Sequence, residues 1–429
     1  MIERLSLAVL LFSCALLLPL GAGAAQPAID GDWSGTIVAG PQKLRIVFHI
    51  ETVAAGISAT LISVDQGGVK MPVATASRDG DRVVLDIPLI AGRFDGVLAP
   101  DGKALTGTWS QRGVAVPLAL AWHPLGTPAP AQPATLPRPA GIAETDRSLN
   151  LGGDRLAGTL AYAGAAPSPP AVLMIAGSGP TDRNGNSPTF GYKADTQRLL
   201  AYGLALQGIA SLRTDKRGVG GSAAAMHGEA DMRVGNYVDD AKAWAKDLMA
   251  RTGAKCVWLA GHSEGALIAE LAARDNPDIC GLILLAGPGR TMAEVLRAQL
   301  AHLPDDQRKS YYDAIDALSA GRTVDRPAND LLFRPSLQPY VLSEIALDPA
   351  ALLKRLTVPV LIVQGDADRN ILVEDAKALA AARPDATLLV VPGMTHALKL
   401  PPPGVAETDP SLPLAPGLVD TIASFIKTH

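Results

Sequence analysis

Hydrophobic and polar positions follow two different rhythms along this chain. Between residues 26 and 122 apolar and polar side chains alternate in short runs, at 43–50, 57–64, 82–87 and 116–122. A period of two marks half-buried strands, and Asp79-Gly80 and Asp101-Gly102 supply turns between them. About eight such strands with no helical period predict a small antiparallel barrel or sandwich. Pro117 suits the start or edge of the last strand, because it cannot donate to a ladder. Residues 123–141 break the rhythm: His123-Pro124-Leu125-Gly126-Thr127-Pro128-Ala129-Pro130, then Pro137-Arg138-Pro139, make an extended, semi-rigid linker.

From residue 142 to 429 the rhythm alternates between strand and helix. Continuous apolar runs stand at 171–176, 209–212, 256–260, 281–286, 358–364 and 386–391. Between them lie amphipathic stretches, such as Tyr237, Ala241, Trp244 and Leu248, and near the end Leu418, Ile422, Phe425 and Ile426. Apolar strands separated by helices predict an α/β domain, a mostly parallel sheet covered on both faces. Residues 288–356 interrupt the alternation with helical patterns at 292–303, 305–318 and 348–356. That interval is too long for a simple crossover and is expected to form a helical cap.

A chain of 429 residues suits two domains. With 48% hydrophobic and 19% charged residues it is globular, and only 4% aromatics means an aliphatic core. The formal charge of −4 gives no electrostatic ground for nucleic acid or an anionic membrane as partner. Residues 1–24 read as a signal peptide: a charged start, an apolar run at 5–20 and the small-residue exit Ala22-Gly23-Ala24. The expectation is an exported protein, periplasmic or extracellular, with no stable membrane anchor once the leader is removed. Cys14 leaves with the leader. Cys256 and Cys280 start strands expected to be neighbours, so they form either a disulfide or two buried thiols.

The sharpest chemical signal is Gly261-His262-Ser263-Glu264-Gly265, placed between an expected strand and an expected helix. That context is what a nucleophile elbow needs: a strained turn lifts the serine hydroxyl above the sheet edge, and glycine avoids clashes on both sides. A serine needs a base and an orienting acid. Gly365-Asp366-Ala367-Asp368 and Pro392-Gly393-Met394-Thr395-His396 each follow a strand, on the same edge as Ser263. His396 is the histidine placed to be the base. Asp368 is preferred to Asp366 as the acid, with Asp366 better suited to supporting the turn.

An oxyanion hole needs two backbone N–H groups. Glu264 offers one, and Ser178 in Ala176-Gly177-Ser178-Gly179-Pro180 offers the second. The Glu264 side chain reads as a carboxylate favoured at a helix start. Residues 181–186 either touch substrate or hydrogen-bond themselves into shape, and residues 215–222 read as a structural loop near the site. Neither H-E-x-x-H nor C-x-x-C occurs, so no metal or other cofactor is expected.

Taken together, IAGSGPTDRNGN (175–186), DKRGVGGS (215–222), GHSEG (261–265), LFRPSLQPY (332–340), QGDADRNI (364–371) and PGMTHALK (392–399) resemble the α/β-hydrolase superfamily, near secreted bacterial esterases grouped with serine aminopeptidase-type hydrolases. The resemblance covers about residues 145–429. It implies Ser263 as nucleophile, Asp368 as acid and His396 as base, with Ile371 at the family's usual apolar position after the acid. It implies nothing for the N-terminal β domain. The expected activity is hydrolysis of a small-molecule carboxylic ester through an acyl-enzyme. A serine aminopeptidase with the same triad is the nearest alternative, with a cap carboxylate (Asp305, Asp306, Asp313, Asp316, Asp325 or Asp330) binding the free amine. A ligand-binding or envelope-associated protein, with the β domain as its working module, is the alternative from another class. Tyr311, Tyr312, Phe333 and Tyr340 either line the cap side of a pocket or pack the cap.

Overall fold

A computed structural model describes residues 27–39, 42–54, 56–64, 69–111, 114–127, 135–187, 192–327, 330 and 332–429. The expected signal peptide (1–24) and the middle of the linker (128–134) lie outside these residues. Among the described residues no helix is long and apolar enough to cross a membrane.

The N-terminal unit is a nine-stranded antiparallel sheet in simple meander order: β1 (Gly31–Ala39), β2 (Gln42–Val53), β3 (Gly56–Ser63), β4 (Val69–Pro72), β5 (Thr75–Asp79), β6 (Arg82–Ile87), β7 (Gly92–Leu98), β8 (Ala104–Gln111) and β9 (Val114–His123). β9 returns to pair with β1, Trp33 opposite Trp122, which leaves β4 and β5 as the two ends. Those ends are joined by Val73 and Ala74, whose N–H groups donate to Ala59 of β3 and Asp86 of β6. The sheet therefore curls until its ends meet. Alternation sets which side chains enter: in β6, Val83, Leu85 and Ile87 are buried while their neighbours face out. Trp33, Phe48, Phe94 and Trp109 fill the interior, with Phe48 within 6.2 Å of Phe94 and 6.4 Å of Trp109, centroid to centroid.

The C-terminal unit is an eight-stranded mixed sheet. It opens with a hairpin, β10 (Ile142–Leu151) and β11 (Asp154–Ala163), that the sequence reading did not separate. Then come β12 (Ala171–Ile175), β13 (Ala210–Thr214), β14 (Val257–His262), β15 (Ile279–Leu285), β16 (Val360–Gly365) and β17 (Thr387–Val391). The order is β10-β11-β13-β12-β14-β15-β16-β17, parallel from β13 onward. Strand residues alternate between two apolar layers. Leu173 and Ile175 face α2 (Val234–Thr252) and α3 (Glu264–Ala273), whereas Val172 and Met174 face α1 (Thr196–Leu206) and α9 (Leu418–Thr428). α2 buries Val238, Ala241, Ala245 and Leu248 along one stripe. It stops at Gly253, whose left-handed backbone (φ 72°) turns its N–H onto Met249.

Between β15 and β16 lie α4 (Met292–Leu300), α5 (Asp305–Ser319), α6 (Gln338–Glu344) and α7 (Pro349–Leu353). α6 is absent from the sequence expectation, since Pro339 and a single turn of apolar residues mask its period. α4 starts with a reciprocal cap in which Thr291 accepts from the Glu294 N–H and Glu294 accepts from the Thr291 N–H. Leu300, Ile315, Leu318, Phe333, Val341 and Ile345 give these helices a small core of their own.

Cys256 and Cys280 are bonded as a disulfide, with Cα atoms 5.2 Å apart at the foot of β14 and β15. Of the two alternatives the sequence allowed, the structure has the bond, because the parallel register brings Val257 opposite Ile279.

Candidate active site

The strand order reverses between β13-β12 and β12-β14, and in an open parallel sheet the crevice at such a switch point is where ligands bind. Ile175 lies opposite Gly261 in the β12–β14 register, so the segments leaving these two strands emerge side by side. One carries Gly177 and Ser178, and the other carries Ser263.

Ser263 sits between β14 and α3 with φ 56° and ψ −127°. A non-glycine residue with such a backbone is strained by about 1–3 kcal/mol and persists only where its surroundings fix it. Here its N–H is held by Leu285 at 2.9 Å, and its carbonyl accepts from Ala266. The flanking glycines leave no alternative: a Cβ on Gly261 would lie 2.2 Å from the Gly265 carbonyl oxygen, and one on Gly265 2.3 Å from that of Ile175. Gly177 is confined less severely, since its Cβ would come 3.1 Å from Ser263 Cβ.

His396, in the loop after β17, shares a 2.8 Å hydrogen bond from Nδ1 to Asp368 Oδ2. The other oxygen of Asp368 accepts from the N–H groups of Asn370 (2.8 Å) and Ile371 (3.0 Å). Burial pushes the Asp368 carboxyl upward, but His396 and these two amides outweigh it and hold the group below the ordinary carboxylate range. Asp366 points elsewhere and accepts from the Gly393 N–H at 2.6 Å, bracing the loop that carries His396. The His396 ring lies 4.7 Å from that of His262, centroid to centroid, and His262 Nε2–H donates to the His396 carbonyl at 2.8 Å. The imidazole is thus tied to the residue preceding Ser263.

Ser178 is exposed and Glu264 buried, and neither backbone N–H has an acceptor among the described residues. Residues 181–186 fold on themselves: Asp182 accepts from the Asn184 and Asn186 amides, and Thr181 Oγ1 donates to Ser178. The tie to residues 215–222 is Asp215, which accepts from the Arg183 backbone and side chain and from the Gly221 amide.

Residues 191–400 match the family model described as serine aminopeptidase, S33. The C-terminal domain has the α/β-hydrolase fold. Over 236 residues the chain is 29% identical to Esterase EstD of Thermotoga maritima, a match taking in 53% of this chain and 54% of that one. The chain thus spans about half the length of that curated relative. Among solved structures, proline iminopeptidase of Mycobacterium smegmatis aligns at 16% identity over 66% of this chain and 98% of its own, with a TM-score of 0.44. Ferulic-acid-bound Est1E of Butyrivibrio proteoclasticus aligns at 19% identity over 66% and 96%, with a TM-score of 0.45.

Sequence reasoning passed over several residues that the hydrolase domain gathers here. The Glu264 carboxylate is more than a favourable charge at a helix start. It accepts from Lys216 Nζ (2.8 Å) and from the Tyr340 hydroxyl (2.9 Å), and both partners are buried. Tyr340 therefore belongs to this network. Phe333 is fully buried in the cap core, Tyr311 packs against it, and the Tyr312 hydroxyl donates to the Arg297 carbonyl, so these aromatics serve the packing of the cap. No spacing rule links residues so far apart in the chain.

His262 yields a prediction of its own. Burial, then the neighbouring His396, lowers its pKa from 6.5 to about 4. A pKa depressed on folding means stability that is complete above the unfolded value and lost as pH falls through the folded one. Because the ring keeps some exposure, this is worth at most about 3 kcal/mol. The melting temperature should drop between pH 6.5 and about 4, and His262→Gln, whose amide can still donate to the His396 carbonyl, should flatten that slope. Identical slopes in calorimetric scans of the two proteins would count against the assignment.

Proposed function

We propose that the protein is an exported serine carboxylesterase. The observation that carries this is Ser263, held in its strained turn beside Gly177 and joined through His262 to the hydrogen-bonded pair His396–Asp368. In this reading Ser263 Oγ attacks the ester carbonyl, His396 takes its proton and passes it to the leaving alcohol, and Asp368 keeps the imidazole in the tautomer that can accept. The N–H groups of Glu264 and Ser178 stabilise the tetrahedral oxyanion, and water then releases the acid. Support comes from the S33 family match and from a relative named as an esterase. Export is supported by the disulfide, since such bonds persist in oxidising compartments.

The test is hydrolysis of p-nitrophenyl butyrate by the mature protein beside Ser263→Ala. The variant should lose activity by at least about 10³-fold with its fold intact. Equal rates in the two proteins would remove the elbow from the chemistry.

The family description also motivates a second reading, release of an N-terminal residue from a peptide. Against it, Asp305, Asp313, Asp316 and Asp330 in the cap already pair with Arg308, Lys309, Arg297 and Arg326. Asp306 and Asp325 are exposed. Aminoacyl p-nitroanilides cleaved faster than butyrate esters would establish this second reading instead. The alternative with the β domain as the working module draws no support from its interior, which is packed with aliphatic side chains and the aromatics Trp33, Phe48, Phe94 and Trp109.

A further inference from the structure

Behind the nucleophile turn lies a buried lysine that the triad chemistry does not use. Lys216 follows β13, and its ammonium donates to the Gly177 carbonyl at 3.0 Å and to Glu264 Oε2 at 2.8 Å. The face of Tyr237 closes the remaining side, 4.1 Å from ring centroid to nitrogen. These three directions match the three N–H bonds of an ammonium, so the group is saturated and has none to offer a substrate. The Glu264 carboxylate in turn accepts from the Tyr340 hydroxyl, and burial, then the nearby Glu264, pushes the Glu344 carboxyl well above the ordinary carboxylate range. Burial works against the charge on Lys216, but the attraction of Glu264 outweighs it, so the ammonium persists.

Its two hydrogen-bond partners, Gly177 and Glu264, are the residues next to the proposed oxyanion. The Gly177 carbonyl and the Ser178 N–H belong to one planar trans peptide and point in opposite directions, so fixing the first fixes the second. Glu264 carries the other N–H on its own backbone. Taking the proposed function as its basis, we infer that Lys216 is a positioning residue that sets the spacing and direction of both oxyanion-hole N–H groups by bridging the Gly177 carbonyl and the Glu264 carboxylate. It acts from the side away from substrate, on geometry that matters only once the carbonyl oxygen has become an oxyanion. Ground-state binding should therefore not depend on it.

Lys216→Met tests this, together with the double variant Lys216→Met/Glu264→Gln, which removes both members of the buried ion pair. Each is assayed well below its melting temperature with p-nitrophenyl butyrate, and with an alkyl trifluoromethyl ketone whose Ser263 hemiketal places an oxyanion in the hole. In the single variant kcat should fall about 100-fold with KM within about threefold, and ketone affinity should fall in parallel. In the double variant the melting temperature should recover while kcat and ketone affinity stay low, because nothing holds the Gly177 carbonyl. Recovery of kcat along with stability would overturn the inference, leaving Lys216 as a counter-ion only. So would a loss of kcat with ketone affinity unchanged. Whichever variant stays folded gives the answer, since kcat, KM and ketone affinity are read on each. Failure of the underlying function looks different: wild type and Ser263→Ala would then hydrolyse the ester alike, whereas failure of this inference leaves wild type active, Ser263→Ala inactive and the lysine variants undiminished.

Discussion

Asp368→Asn is expected to lower kcat about 10⁴-fold with little change in KM or in folding. An asparagine here can still accept from the Asn370 and Ile371 amides, so the loop after β16 keeps its shape. What changes is the atom facing His396 Nδ1, at 2.8 Å in the native protein. A carboxylate oxygen there only accepts, which keeps the proton on Nδ1 and, in the proposed mechanism, leaves Nε2 free to take one from Ser263. An amide nitrogen donates instead, the ring adopts the other tautomer, and Nε2 arrives already protonated. Asp366→Asn is the matched control. That residue lies two positions away and accepts from the Gly393 amide at an exposed turn, and its variant should stay within a few-fold of wild type. Steady-state rates on the two variants decide between the carboxylates. A large loss in the second with a small one in the first would transfer the acid's role to Asp366.

The other large effect concerns folding. Gly265→Ala places a Cβ 2.3 Å from the Ile175 carbonyl oxygen and 2.7 Å from that of Ala176. Both atoms are backbone at the end of β12, so neither can swing aside as a side-chain tip would. Relief requires α3 to move off the sheet, which breaks the Ser263 turn and opens a core in which Ala266, Leu267, Ile268 and Ala269 are almost fully buried. The expected cost exceeds about 4 kcal/mol, enough to abolish soluble protein or collapse the urea midpoint. Gly235→Ala, in the first turn of α2 with open space around its Cα, should instead be neutral or stabilising by up to about 1 kcal/mol. Equal stability of the two variants would show that the contact at Gly265 relaxes more cheaply than its geometry implies.

How legible these features were in the sequence depends on how local their causes are. The turn at Ser263 is written in five consecutive residues, because the glycines that permit it flank the serine it strains. The β domain was legible in outline because alternation is a property of each strand alone. Its ninth strand and its closure were not, since closure rests on Val73 and Ala74 bonding to strands on both sides. The hairpin β10–β11 escaped notice because Ile142–Leu151 is polar at most positions, as an edge strand with one solvated face is bound to be. Lys216, Glu264, Tyr340 and Glu344 were invisible for the opposite reason. Each looks locally like an ordinary polar residue, and only the register of β12, β13 and β14 with the placement of α6 brings them into one buried cluster. The disulfide stands between these cases: the parallel sheet made the two cysteines neighbours, but the bond needed their spacing.

The meeting of β4 and β5 in the N-terminal domain also bears on behaviour at high concentration. The sheet's two ends, β4 and β5, are short strands of four and five residues tied to their neighbours through Val73 and Ala74, so the edge they offer a second chain is small. The hydrolase sheet has two ends. At β10 the charged side chains of Glu144, Asp146 and Arg147 discourage strand addition. β17 carries no charge, reads Thr-Leu-Leu-Val-Val, and leaves Leu388 and Val390 exposed at 37% and 36%. Among the described residues, that five-residue edge is where aggregation by strand addition meets the least resistance. A single lysine on its solvent face would protect it at little cost to the sheet.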